Sequence, residues 1–220
     1  TLAQAARARG WDARFVIGAG GFSGRVAEAG FEVVPVPSGP RHDPDAPPHG
    51  DWLSAPWEVD AEVTAGVARD ADWLIWDHYG LDARWVAAVG ARAAMAFDDL
   101  DDRPLGSDML LDLTRLGGRP AHGAPVELIG PAYCPLRPEF AERRADPATR
   151  GTVPAHLLVM PGLADAAGLA PLALRALKDF PDLTAEVVMG ADSQSRAATE
   201  AVAGRHAITL DPPDVAARMA

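Results

Sequence analysis

Four consecutive residues, Asp77-His78-Tyr79-Gly80, close an apolar run and place a carboxylate, an imidazole and a phenol beside a residue that permits a sharp turn. Such a set can hold or move protons and can bind sugars or phosphates. Leu74, Ile75 and Trp76 before it suit a buried strand, and Asp82 after it can cap the free N–H groups of a helix. Open α/β sheets bind ligands beyond the carboxyl ends of their strands, so Asp77, His78 and Tyr79 are expected to face a crevice. Tyr79 reads as a contact to sugar or leaving group, His78 as a substrate contact or a clasp on a backbone carbonyl, and Asp77 as a turn-fixing or capping residue. A second carboxylate pair, Asp98-Asp99, ends another apolar run. Adjacent side chains of an extended segment diverge, which argues against a shared metal and predicts that one lines the cleft while the other caps.

The elements that would position these residues follow an alternating pattern. Apolar runs at 13–17, 31–36, 73–76, 93–97 and 109–113 read as strands, with helical patterns at 1–9, 24–29, 59–68 and 82–88 between some of them. Alternation of this kind gives an α/β domain with a mostly parallel sheet. A charged, proline-bearing stretch, 138–154, reads as a linker, after which strands at 157–160, 185–189 and 207–210 begin a second sheet. The expected domains are 1–137 and 155–220. Residues 1–9 already read as the helix that follows a ligand loop, and 214–220 as a helix just begun, so the first domain is expected to lack its first strand and the second to be incomplete. The Pro-, Gly- and His-rich segment 37–56 exceeds ordinary connections, and such loops are functional or mobile.

Composition removes several classes of function. A hydrophobic content of 48% over 220 residues can fill a globular core. The formal net charge of −11 repels nucleic acid and anionic lipid, so neither is expected as a partner. Cys134 is the one cysteine, which excludes an internal disulfide or a CxxC site and fits a reducing cytoplasm. His42, His49, His122, His156 and His206 are scattered and suggest no cluster. No metal or cofactor is expected.

The ordered motifs carry a resemblance. Asp51-Trp52-Leu53 precedes Asp60-Ala61 and Thr64; then come Asp77-His78-Tyr79-Gly80 with Asp82 and Trp85, Asp98-Asp99-Leu100 and Asp102-Arg103-Pro104. Asp108-Met109-Leu110-Leu111-Asp112, Gly130-Pro131 with Tyr133, Leu136-Arg137-Pro138-Glu139-Phe140, and Gly162 with Ala164-Asp165 continue the series. In order and spacing these resemble the UDP-2,4-diacetamido-2,4,6-trideoxy-β-L-altropyranose hydrolases (PseG) of pseudaminic acid synthesis and the related spore-coat SpsG proteins. The resemblance implies a glycosyltransferase-B-like architecture of two Rossmann-like domains, similar to MurG, in which water displaces UDP with inversion and without a metal. With it, Tyr79 and His78 are expected as catalytic residues and Asp77, Gly80, Asp98, Asp99, Arg137, Gly162 and Asp165 as substrate-binding, although for Arg137, at the linker, an inter-domain ion pair is the more ordinary reading than a phosphate contact. The family's general base, a histidine in a Gly-x-Gly-His loop, would precede Thr1, and much of the uridine diphosphate pocket would follow Ala220; residues 1–220 alone are then expected to be nearly inactive.

Departures from the family pattern concentrate in polar positions. Leu163 replaces a glycine, Gly168 an asparagine, Ala170 a threonine and Leu105 a histidine, and Leu113-Thr114 stand for a Gln-Asn pair. Two other readings therefore stay open. One is a glycosyltransferase of the same architecture using a UDP-sugar, because fold does not fix whether water or a sugar hydroxyl attacks. The other is a non-catalytic homologue partnering a sialic-acid-type cytidylyltransferase or another nonulosonic acid enzyme.

Overall fold

The computed structural model describes residues 1–18, 22–40, 42–114, 123–144 and 155–219. The chain divides into two compact α/β units, Thr1–Pro135 and Leu136–Ala220. In the first, helix α1 (Leu2–Arg7) leads to strand β1 (Arg14–Ile17), helix α2 (Ser23–Glu28) and strand β2 (Glu32–Pro35). Helix α3 (Trp57–Ala68), strand β3 (Leu74–Trp76), helix α4 (Ala83–Val89) and strands β4 (Ala94–Phe97), β5 (Met109–Asp112) and β6 (Val126–Ile129) follow. β1 pairs with β2, and β3-β4-β5-β6 form a separate sheet in that order; every pairing is parallel. This arrangement is compatible with a Rossmann-like fold.

The core of the first unit gathers around two indoles. Trp76 of β3 and Trp85 of α4 lie with ring centroids 5.7 Å apart, packed among Leu53, Leu81, Leu105 and Leu110. A buried indole N–H left without an acceptor is costly, and here each has one. Trp76 Nε1 donates to Ser107 Oγ at 2.9 Å and Trp85 Nε1 to Asp60 Oδ1 at 2.8 Å. These bonds tie the approach to β5 onto β3 and helix α3 onto α4. Asp82 caps α4 as its type suggests, accepting from the Arg84 N–H at 2.8 Å, and Gly90 closes that helix at φ 65°.

The second unit holds helix α5 (Pro138–Glu142), strand β7 (His156–Val159), helix α6 (Leu169–Ala176), strand β8 (Thr184–Met189), helix α7 (Arg196–Val202), strand β9 (Ala207–Leu210) and helix α8 (Val215–Met219). Its sheet runs β7-β8-β9, again parallel, over a core of Ala170, Leu174, Leu177, Val187 and Met189. Two features depart from the sequence expectations. The segment 138–154 begins as a helix, because Pro138 occupies a first-turn position where its missing N–H costs nothing; 145–154 lie outside the described residues. Strand β6 is an edge strand with Glu127 at its centre, so its apolar signal is weak. No helix among the described residues is long and apolar enough to cross a membrane.

Leu110, on β5 between β4 and β6, has no exposed surface. Leu110→Ala should destabilise the protein by about 2–5 kcal/mol, through lost apolar transfer and the cavity left behind. Urea unfolding of the two proteins measures it.

Candidate functional site

Parallel pairing builds the site. Because Trp76 of β3 pairs with Ala96 of β4, both strands release their chains at the same sheet edge. The turn from Asp77 to Gly80 therefore meets the turn that starts at Asp98. Across this junction the Tyr79 hydroxyl donates to Asp99 Oδ1 at 2.7 Å. That bond, then burial, then the charges of Asp99, Asp77 and Asp98, push the phenol up to about 12. The tyrosine stays protonated, its O–H donated to Asp99, and its oxygen can still accept a hydrogen bond. The phenol's one donor is thus engaged by a carboxylate of the neighbouring turn.

The two adjacent aspartates separate as extended-chain geometry requires. Asp98 is buried: one oxygen lies 2.6 Å from Arg103 and the other accepts from the Leu100 N–H at 3.0 Å. Asp99 is only half-buried and carries the tyrosine contact. Asp98 is accordingly engaged within the fold, while Asp99 keeps part of its surface open. Asp77 reaches the surface; desolvation by the turn raises its carboxyl, His78 opposes, and Asp99 and Asp98 add to the rise.

His78 serves the turn. Its Nδ1 accepts from the Gly80 N–H at 2.9 Å, which puts the proton of the neutral ring on Nε2, and the ring also hydrogen-bonds the backbone of Trp52. Burial pushes the imidazole down, outweighing Asp60. Through these contacts His78 joins the strand exit to the segment 37–56 and orients the turn. Gly80 is fixed by space. A Cβ there would stand 2.5 Å from the His49 carbonyl oxygen, so the close approach of the two loops requires glycine.

That approach gathers residues the sequence left scattered. The short 3₁₀ turn Gly50–Trp52 brings His49 and Trp52 beside Tyr79, with ring centroids 4.5 Å apart for His49–Trp52, 5.8 Å for His49–Tyr79 and 6.1 Å for Trp52–Tyr79. Trp52 remains 58% exposed, an open aromatic face at the mouth. Under the same segment lies a cavity of about 340 Å³ lined by His42, Asp43, Asp51, Trp57 and Gly80, among others. The Pro47-Pro48-His49-Gly50 sequence was the available signal, as turn chemistry opposite another turn. The arrangement offers an aromatic wall and acceptor carboxylates, a lining suited to a sugar ring with N–H and O–H donors.

The remaining candidates lie in the second unit. Arg137 pairs with its neighbour Glu139 at 3.0 Å and stands 5.2 Å from the Phe140 ring centroid. Gly162 is exposed at φ 93°, with nothing near the position of a Cβ. Asp165, expected as a substrate-binding residue, has its carboxylate engaged by protein donors. It is buried and fills the start of α6, accepting from the Leu169 N–H at 2.8 Å, the Ala170 N–H at 3.0 Å and Ser195 Oγ at 2.5 Å. Burial opposes its charge, but these donors outweigh it and hold the carboxyl below its usual range. It also supplies the cap that Ala170 cannot. Leu105, where the family has histidine, is buried in the first unit's core. His122 lies outside the described residues. Among the described residues no three His, Cys, Asp or Glu side chains gather as a metal site would need.

The lowered imidazole of His78 gives a signed pH effect. Above the ordinary value of 6.5 the ring is neutral folded or unfolded; below it the unfolded chain takes up the proton more readily, so stability falls as pH falls through the lower folded value. His206, also lowered by burial, acts in the same sense. His78→Gln keeps one acceptor and a donor without titrating, and retains His206. The melting temperature of this variant should decline less between neutral and mildly acidic pH than that of the parent; parallel curves would show that His78 does not titrate against folding.

No protein-family model, curated protein or solved structure matches this chain.

Proposed function

We propose that the protein is a sugar-nucleotide hydrolase, releasing UDP from UDP-2,4-diacetamido-2,4,6-trideoxy-β-L-altropyranose on a glycosyltransferase-B-like architecture. The supporting observation is the Tyr79–Asp99 hydrogen bond of 2.7 Å, which joins the two most specific motifs of the resemblance at one sheet edge. In this reading the water oxygen bonds to the anomeric carbon as the bond to the diphosphate oxygen breaks. UDP leaves with the electron pair, and a general base takes the proton released by the water. Tyr79 Oη accepts from a hydroxyl or acetamido N–H of the sugar while Asp99 fixes the phenol's orientation, and Asp77 offers a second acceptor at the rim. The faces of Trp52 and His49 cover the apolar side of the ring or an acetamido methyl. Orientation of this kind lowers the barrier because it is in place before reaction.

The experiment is UDP release from this substrate in EDTA, with no sugar acceptor added. Full-length enzyme should release UDP and free sugar in equal amounts. Tyr79→Phe should lower kcat with little change in KM or melting temperature, by about 1–3 kcal/mol of barrier. Release that requires a sugar acceptor would make the protein a glycosyltransferase, and dependence on Mn²⁺ or Mg²⁺ would overturn the metal-free reaction.

A further inference from the structure

Arg103 contacts both turns of the site, while its own side chain is buried away from any ligand. Its side chain is 3% exposed and lies between the two turns. Toward the β4 exit it meets Asp98 at 2.6 Å and Asp102 at 2.8 Å. Toward the β3 exit its Nε donates to the Leu81 carbonyl at 2.7 Å and an Nη donates to the His78 carbonyl at 3.4 Å. The guanidinium carbon stands 5.8 Å from the Tyr79 ring centroid. Tyr79 and Asp99 sit one residue along from His78 and Asp98, two of the residues this fork grips.

We propose that Arg103 is the positioning residue of the site, clamping the Asp77–Gly80 turn to the Asp98–Asp101 turn so that Tyr79 and Asp99 meet. Its catalytic relevance rests on the hydrolase reading; its action on the Tyr79–Asp99 pair does not. A planar guanidinium addresses both turns at once because its donors diverge in a fixed plane. Lysine would keep the charge next to the phenol while losing the fork. Arg103→Lys therefore separates geometry from electrostatics.

Tyr79 and Tyr133 are the protein's two tyrosines, so a Tyr133→Phe background leaves Tyr79 as the sole phenol. Ultraviolet titration in that background, with circular dichroism at each pH to verify the folded state, follows the pair directly. The parent should ionise near 12, and Arg103→Lys should move the midpoint toward the ordinary 10.0 as the Asp99 contact loosens. Asp102→Asn, at a partly exposed carboxylate on the edge of the fork, should shift it the same way by less, and supplies the measurement if Arg103→Lys does not fold. A side chain serving only general stability would lower the melting temperature and leave the midpoint in place; that result, in either folded variant, overturns the proposal. In UDP release, Arg103→Lys should reduce kcat by roughly tenfold with KM little changed, and by less than about twofold when Tyr79 is already phenylalanine. Equal losses in both backgrounds would show that Arg103 does not act through Tyr79. If the parent releases no UDP, the hydrolase reading fails while the phenol titration still decides the role of Arg103.

Discussion

The first unit depends on how a guanidinium is accommodated out of water. Burying Arg103 and Asp98 removes two charges from solvent, a cost that close pairing offsets only when the remaining donors and acceptors are also met. They are met here by Asp102, by the carbonyls of Leu81 and His78, and by the backbone N–H groups of Leu100 and Asp101. A hydrophobic pair could fill the same volume. It could not specify which carbonyls lie opposite which carboxylates, so the interaction contributes definition to two loops more than free energy to the fold.

This explains why residues that look equally suited to chemistry in the sequence divide into two groups. His78, Gly80 and Asp98 are absorbed in shaping the crevice, through a ring that bridges two turns, a missing Cβ and a buried ion pair. Tyr79, Asp77 and Asp99 retain groups that face outward. In the second unit Asp165 is likewise consumed by the start of α6, so a diphosphate could not use those N–H groups without displacing it. A strand-exit motif contains its own scaffold, and only some of its polar residues are free for a ligand.

The strands around the site were legible because parallel strands read as unbroken apolar runs, as at Leu74–Trp76 and Ala94–Phe97. The divergence of Asp98 from Asp99 followed from backbone geometry alone. β6 was not legible, since an edge strand carrying Glu127 needs only one apolar face. Arg103 and the ring cluster were missed for a different reason. The carbonyls that Arg103 reaches across to lie 22 and 25 residues away, and the loop bearing His49 and Trp52 meets Tyr79 through tertiary contact near Gly80. Periodicity carries no information about such meetings. The pairing of motifs across the sheet edge was available only as resemblance.

The division of the first unit's strands into β1–β2 and β3–β6 has a consequence for how the chain behaves among other chains. Among the described residues β3 pairs on one side only, and it presents Ile75 at 47% exposure beside Trp73 at 45%. A bare strand edge with apolar side chains and no lysine or proline to blunt it is a template for another strand, whatever its source. Such an edge makes protein concentration a condition to control in handling the protein, because the ladder groups it leaves open can be paired by another strand.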